Sequence, residues 1–187
     1  MAKFLTTKQA YAAIEDITIK ANKELVLISP FIKIPDDLLR RLKHLDDKNV
    51  KITLVCRWKK LDYKEKNKLG NINHLEVHSL DHLHAKCFYN QESMVITSLN
   101  LHEYSEQNNR EMGILLTQTE DKKLFDEARD EANSIVEEAT IVNVNMNRVK
   151  PSNTNVNNKH RRPKSVEKKP EKQEVSFLEQ LKKDIGW

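Results

Sequence analysis

Cysteine is scarce in this chain, and its scarcity excludes several architectures. Of 187 residues only two are cysteine, Cys56 and Cys87. Both sit inside apolar runs, TLVCRW and AKCFY; no CxxC pair occurs and no Cys/His spacing matches a structural zinc site. A disulfide framework is excluded, and both residues are expected to be buried free thiols in a reducing compartment. Aromatic residues make up 6% and charged residues 32%, a composition of well-solvated protein. No run approaches the ~18 apolar residues of a membrane span, and the start, MAKFLTTKQAYAAIED, has no signal-peptide core. A cytoplasmic protein without membrane association is the default expectation. No acidic cluster is spaced to hold a metal, no cofactor is expected, and no internal repeat is found.

The length suits one domain of about 140 residues with a tail. Charge divides the same way. Residues 1–140 hold 21 Lys and Arg against 23 Asp and Glu, a net of −2, whereas residues 141–187 hold 11 against 5, a net of +6. A basic tail on a near-neutral body is either attracted to a polyanion or serves solubility. From about residue 141 the chain is Asn- and Lys-rich with few large apolar groups. It is expected to be a disordered basic linker over 141–174. Residues 175–187, with Phe177, Leu178, Leu181, Ile185 and Trp187, regain a helical pattern and read as a short docking helix for a protein partner.

Within 1–140 the periodicity predicts an α/β fold. Helices are expected over 7–22, with Thr7 as a cap, over 36–48, and over 119–139, with Leu124, Phe125, Ala128, Ala132, Ile135, Val136 and Ala139 facing inward. Continuous apolar runs at 24–32 and 50–58 read as strands buried on both faces, and the strand–helix–strand order predicts a parallel crossover. Short strands follow near 74–79, 84–90, 93–98 and 110–117. The segment 57–68, RWKKLDYKEKNK, has six basic and two acidic residues around Trp58 and Tyr63. It is either an exposed helix face or a surface for a nucleic-acid strand.

The chemistry concentrates in 82–116. His84 and Lys86 are two apart, as are Ser98 and Asn100. If 84–90 and 93–100 form a hairpin, all four share a face only when paired residue numbers sum to an even value. That register needs an odd loop around Gln91 to Ser93. Alternatively Ser98 and Asn100 lie just past the strand end. A cation, a hydroxyl and an amide beside an imidazole make a site for a tetrahedral oxyanion. His84 then serves as nucleophile at phosphorus, and Glu111 is the candidate to hold its other ring nitrogen. Arg57, Lys59, Lys60 and Arg110 are candidates for flanking phosphates. His82 reads as a neighbour of the pocket, and His74, His78 and His102 as surface residues.

HAK at 84–86, TSLN at 97–100 and NNREMG at 108–113 resemble the HxK…GSxN…E pattern of the phospholipase D superfamily, and LVLISPFI resembles its first core strand. The resemblance covers roughly residues 5–140. It implies a mixed, partly parallel sheet flanked by helices on both faces, and catalysis by His84, Lys86, Ser98, Asn100 and Glu111. Two positions depart from the pattern. Gln91 stands where the family has Asp, and Thr97 stands where it has Gly. Family chains with two motifs build one site from two halves, so a single motif implies a homodimer joined through its active-site face. The resemblance implies a phosphohistidine on one His84, with the second His84 as acid and then base, and no metal. A metal-independent nuclease is the leading expectation. A nucleic-acid-binding adaptor of the same fold is the alternative, and a phospholipase ranks below both.

Overall fold

The computed structural model describes residues 1–102 and 109–144. The linker from 145 onward and the docking helix at 175–187 lie outside the described residues. Ten strands and four α-helices are described: β1 (Lys3–Thr6), α1 (Thr7–Lys20), β2 (Glu24–Ile28), β3 (Ile32–Lys33), α2 (Asp36–Asp47), β4 (Lys51–Cys56), α3 (Tyr63–Leu69), β5 (Leu75–Ser79), β6 (Cys87–Asn90), β7 (Ser93–Thr97), β8 (Leu101–His102), β9 (Met112–Thr117), α4 (Lys122–Glu138) and β10 (Thr140–Val142). Eight strands form one sheet in the order β1-β9-β7-β6-β2-β4-β5-β10, and β3 and β8 form a separate parallel pair.

The sheet is mixed, as the family resemblance implies, and its parallel part holds the crossover that the apolar pattern predicts. β2, β4 and β5 run parallel, and the remaining contacts of the large sheet are antiparallel. The continuous apolar run of β2 follows from its central position. Leu25 and Leu27 join Ile14, Ile17, Leu42 and Leu54 in one core, while Val26 and Ile28 join Tyr89, Met94, Leu116 and Phe125 in the other. A central strand covered by helices on both faces has no polar side.

Several boundaries differ from the sequence reading. The first helix is capped by Thr6, whose backbone N–H donates to Gln9 Oε1 at 3.0 Å. Thr7 has another task, described below. Leu124 is 49% exposed, because the inward stripe of α4 runs through Phe125 and Ala132. His78 is buried on β5 rather than on the surface. β10 continues to Val142, two residues past the expected boundary, because it closes the edge of β5. β1, β3, β8 and β10 were not anticipated.

The turn from β6 to β7 decides how the site is assembled. Cys87 pairs with Ile96, Phe88 with Val95 and Tyr89 with Met94. These pairs sum to an odd number, so the three-residue loop is not formed. The buried Asn90 explains the tighter turn. Its Oδ1 accepts from Glu92 N at 2.8 Å and Ser93 N at 2.9 Å, and its Nδ2 donates to Ile17 O at 2.8 Å. A side chain that satisfies its own turn fixes the register. Gln91 ties the turn to the end of α1, accepting from Asn22 N at 3.3 Å and donating to Lys20 O at 3.2 Å. Gln91 therefore has a structural role in this chain.

Candidate active site

The strand directions bring the candidate residues to one end of the sheet. β4 runs parallel to β2, β6 and β9 run opposite to β2, and β7 runs with it. The segments that follow β2, β4 and β7 and precede β6 and β9 therefore share an edge. Ser29 and Phe31 follow β2, Arg57 follows β4, His84 and Lys86 precede β6, Ser98 and Asn100 follow β7, and Glu111 precedes β9. His84, Lys86, Ser98 and Asn100 all lie outside the regular strands, so the odd register does not separate them. The second of the two arrangements considered above is the one observed.

His84 is exposed, and its Nδ1 stands 3.5 Å from Lys86 Nζ. His84, Lys86 and Ser98 line a cavity of about 490 Å³ closed on its far side by Ala128, Glu131, Ala132 and Ile135 of α4. Lys86 is half-buried. Burial pushes its ammonium below the ordinary lysine range, Glu111 opposes that shift, and the charge of Arg57 adds to it. These three charges are thus electrostatically coupled.

Glu111 is not engaged with His84. Its carboxylate accepts a hydrogen bond from Ser98 Oγ. Ser98 is held further by its N–H to Met112 O at 3.0 Å and by Met112 N–H to its Oγ at 3.2 Å. Glu111 sits on a backbone clamp supplied by Thr7. Glu111 N–H donates to Thr7 Oγ1 at 2.8 Å, and Thr7 Oγ1 donates to Glu111 O at 3.1 Å. Thr7 is thus a positioning residue that its place at a helix start concealed.

Asn100 is half-buried, and its Oδ1 is buried without a hydrogen-bond partner. An unpaired buried acceptor costs about 1–3 kcal/mol, and only a hydrogen-bond donor relieves it; a phosphate oxygen would meet the Nδ2 of Asn100 instead. The next residue is anchored: Leu101 N donates to Ser29 Oγ at 3.0 Å. Thr97, in place of the family Gly, donates through Oγ1 to Met112 O at 2.7 Å and pairs across the sheet with Gly113. A Cβ on Gly113 would approach Ile96 O to 2.8 Å and Thr97 Cβ to 2.9 Å. The glycine absent from one strand is compensated by a glycine on its neighbour.

The four basic candidates separate. Arg57 is half-buried, donates Nε to Leu83 O at 2.7 Å, and lies 5.4 Å from the centroid of the Phe31 ring. Lys59 is exposed and ion-paired with Asp81. Lys60 and Arg110 are exposed. Within 57–68, Lys66 lies 5.1 Å from the Trp58 ring centroid and Lys68 donates to Ile34 O at 2.6 Å, so part of this basic segment holds the fold. Cys56 and Cys87 are buried free thiols, each pushed up to about 12 by burial. Among the described residues no group of three or more His, Cys, Asp or Glu side chains is placed to hold a metal ion, and no helix is long and apolar enough to cross a membrane.

Comparison with known proteins supports the fold class. The family described as "Cardiolipin synthase, PLD-like domain" matches residues 14–136. Nuc from Salmonella typhimurium, described as a phospholipase D family member, is similar in structure with a TM-score of 0.63 and 12% identity, over 76% of this chain and 99% of that one. NucT from Helicobacter pylori has a TM-score of 0.63 and 13% identity, over 76% and 100%. The archaeal chromatin protein TrmBL2 has a TM-score of 0.51 and 18% identity, over 75% and 53%. A search of curated protein sequences finds no match.

Proposed function

This chain belongs to the phospholipase D superfamily, and on that premise we propose that it is a metal-independent nuclease acting through a covalent phosphohistidine at a site shared by two subunits. The observation that carries the reading is the grouping of His84, Lys86 and Ser98 on one cavity, with Glu111 bonded to Ser98. His84 attacks phosphorus, an N–P bond forms, and the P–O bond to the leaving nucleoside breaks. The partner subunit's His84 gives its proton to that oxygen, then takes one from the water that hydrolyses the phosphohistidine. Two Lys86 ammonium groups and two Asn100 amides meet the charge that develops on the phosphoryl oxygens.

One chain holds one such imidazole, so the scheme requires a second copy. An apolar strip beside the site supports that pairing. Phe4, Ile96 and Met112 are exposed, as is Ile114, which pairs across the sheet with both Phe4 and Ile96. Paired residues project from one face. This is the face that α4 covers further along, where Met94 and Leu116 are buried. Apolar side chains grouped in water next to a half-site favour a self-complementary contact.

TrmBL2, described by a novel mode of DNA binding, favours nucleic acid as substrate. The +6 tail gives that substrate a sequence-independent attraction. The test is cleavage of single- and double-stranded DNA and RNA in EDTA, wild type against His84→Ala. Cleavage in EDTA that disappears in the variant is expected; full activity without His84 overturns the scheme.

A second reading is favoured by one contact. With Glu111 bonded to Ser98 and Lys86 facing Nδ1, the ring of His84 has no carboxylate acceptor among the described residues. A nucleic-acid-binding adaptor of this fold predicts salt-dependent binding that His84→Ala leaves intact, with no turnover by either protein.

A further inference from the structure

We propose that Phe31 is a stacking platform for an unpaired nucleobase next to the scissile phosphate, which directs the site towards single-stranded nucleic acid. This inference rests on the nuclease reading. Phe31 is 43% exposed at the active-site edge although the Arg57 guanidinium lies over its ring, and an aromatic side chain exposed in this way can stack on a base.

Its position is tied to both arms of the site. Ser29 Oγ donates to Phe31 O at 2.9 Å and accepts from Leu101 N at 3.0 Å, so Phe31 and the residue after Asn100 share one buried hydroxyl. β3 begins one residue later and pairs with β8, Ile32 opposite Leu101. On the other arm, the guanidinium that lies 5.4 Å from the Phe31 ring belongs to Arg57, which also donates to Leu83 O at 2.7 Å, one residue before His84. A platform fixed in this way loses little freedom when a base settles on it.

The surroundings select the ligand. Phe31, Lys33 and Lys60 line a cavity of about 270 Å³ with Ile32, Leu61 and Asp62. Lys33, Lys60 and Arg57 suit the phosphates on either side of a stacked nucleotide. A quaternary-ammonium lipid headgroup, which also seeks an aromatic face, would meet these cations as like charges. A neutral base on a polyanionic backbone satisfies both features. A base held in a duplex has no free face to offer, hence the preference for a single strand.

The experiment is fluorescence anisotropy with the full-length chain carrying His84→Ala, which stops turnover. Two labelled oligodeoxynucleotides of equal length are compared, one with bases and one abasic throughout. Phe31→Ala and Phe31→Leu are expected to weaken binding of the normal strand about tenfold. Phe31→Tyr keeps the affinity. The abasic strand binds all of these proteins equally, and thermal melting checks that each variant is folded. Equal loss on both strands, no loss on either, or full affinity with Leu removes the stacking role and leaves the nuclease reading standing. Failure of the unsubstituted His84→Ala protein to bind the normal strand, with no cleavage by wild type, removes both.

Discussion

Lys86 sets the pH dependence of the site at the scale of single residues. Its ammonium is held below the ordinary lysine range by burial, with Glu111 opposing and Arg57 reinforcing the shift. Gripping a phosphate requires the protonated form. Anion binding is therefore present below the lowered value and is lost as pH rises through it, below the ~10.4 of a free lysine. Arginine stays charged at any such pH. Calorimetric titration with tungstate, a tetrahedral oxyanion, is expected to show an alkaline limb that moves upward in Lys86→Arg. In Glu111→Gln the limb moves downward, because the charge that supports the ammonium is gone. An unchanged limb in both variants would separate Lys86 from anion binding. His84, Lys86, Ser98, Asn100 and Glu111 were legible as candidates because HxK, SxN and a following Glu form a spaced pattern. The bond from Ser98 to Glu111 was not, because side-chain partners are chosen by the folded backbone.

At the scale of elements, the pairing of β7 with β9 positions the candidate site at the end of both strands. Ser98 leaves β7 and Glu111 enters β9, and between them Thr97 faces Gly113. Gly113→Ala forces a Cβ against Thr97 Cβ and Ile96 O, and overpacking of this kind costs about 1–3 kcal/mol. Chemical denaturation is expected to show that loss, with reduced cleavage because Ser98 and Glu111 shift. Thr97→Gly in the same chain recovers part of the stability; no recovery would show that the crowding is against Ile96 O alone. The longer elements were legible because their periodicity is local. The helices α1, α2 and α4 follow the 3.6-residue stripe, and β2 and β4 follow their unbroken apolar runs. β1 and β10 were not, since each is a short edge strand that exists by pairing with β9 and β5, remote in sequence. The odd register of β6 with β7 was equally hidden, because it depends on Asn90 reaching Ile17 O.

For the whole molecule, the proposed two-histidine scheme requires a second copy, because the chain carries one motif. The strip of Phe4, Ile96, Met112 and Ile114 gives the dimer proposal a specific test. Ile114 is 46% exposed, so Ile114→Glu costs the isolated chain little. In an interface it places a carboxylate in the apolar contact, and a two-fold axis repeats it on both subunits. Light scattering is expected to report a dimer for wild type and a monomer for Ile114→Glu, with unchanged circular dichroism and loss of cleavage. A variant that stays dimeric places the interface elsewhere. A wild type that cleaves as a monomer ends the shared-site scheme.

The amino-acid sequence alone determined the class of fold, the order of the long elements, the burial of both thiols and the set of candidate site residues. Each of these is written in spacing and side-chain type, which act locally. Tertiary structure alone decided that Glu111 holds Ser98, that Thr7 clamps Glu111, that Gly113 makes room for Thr97, and that Phe31 is tied to both arms of the site. These are contacts between residues far apart in the chain, and their geometry is set by how strands align and helices pack.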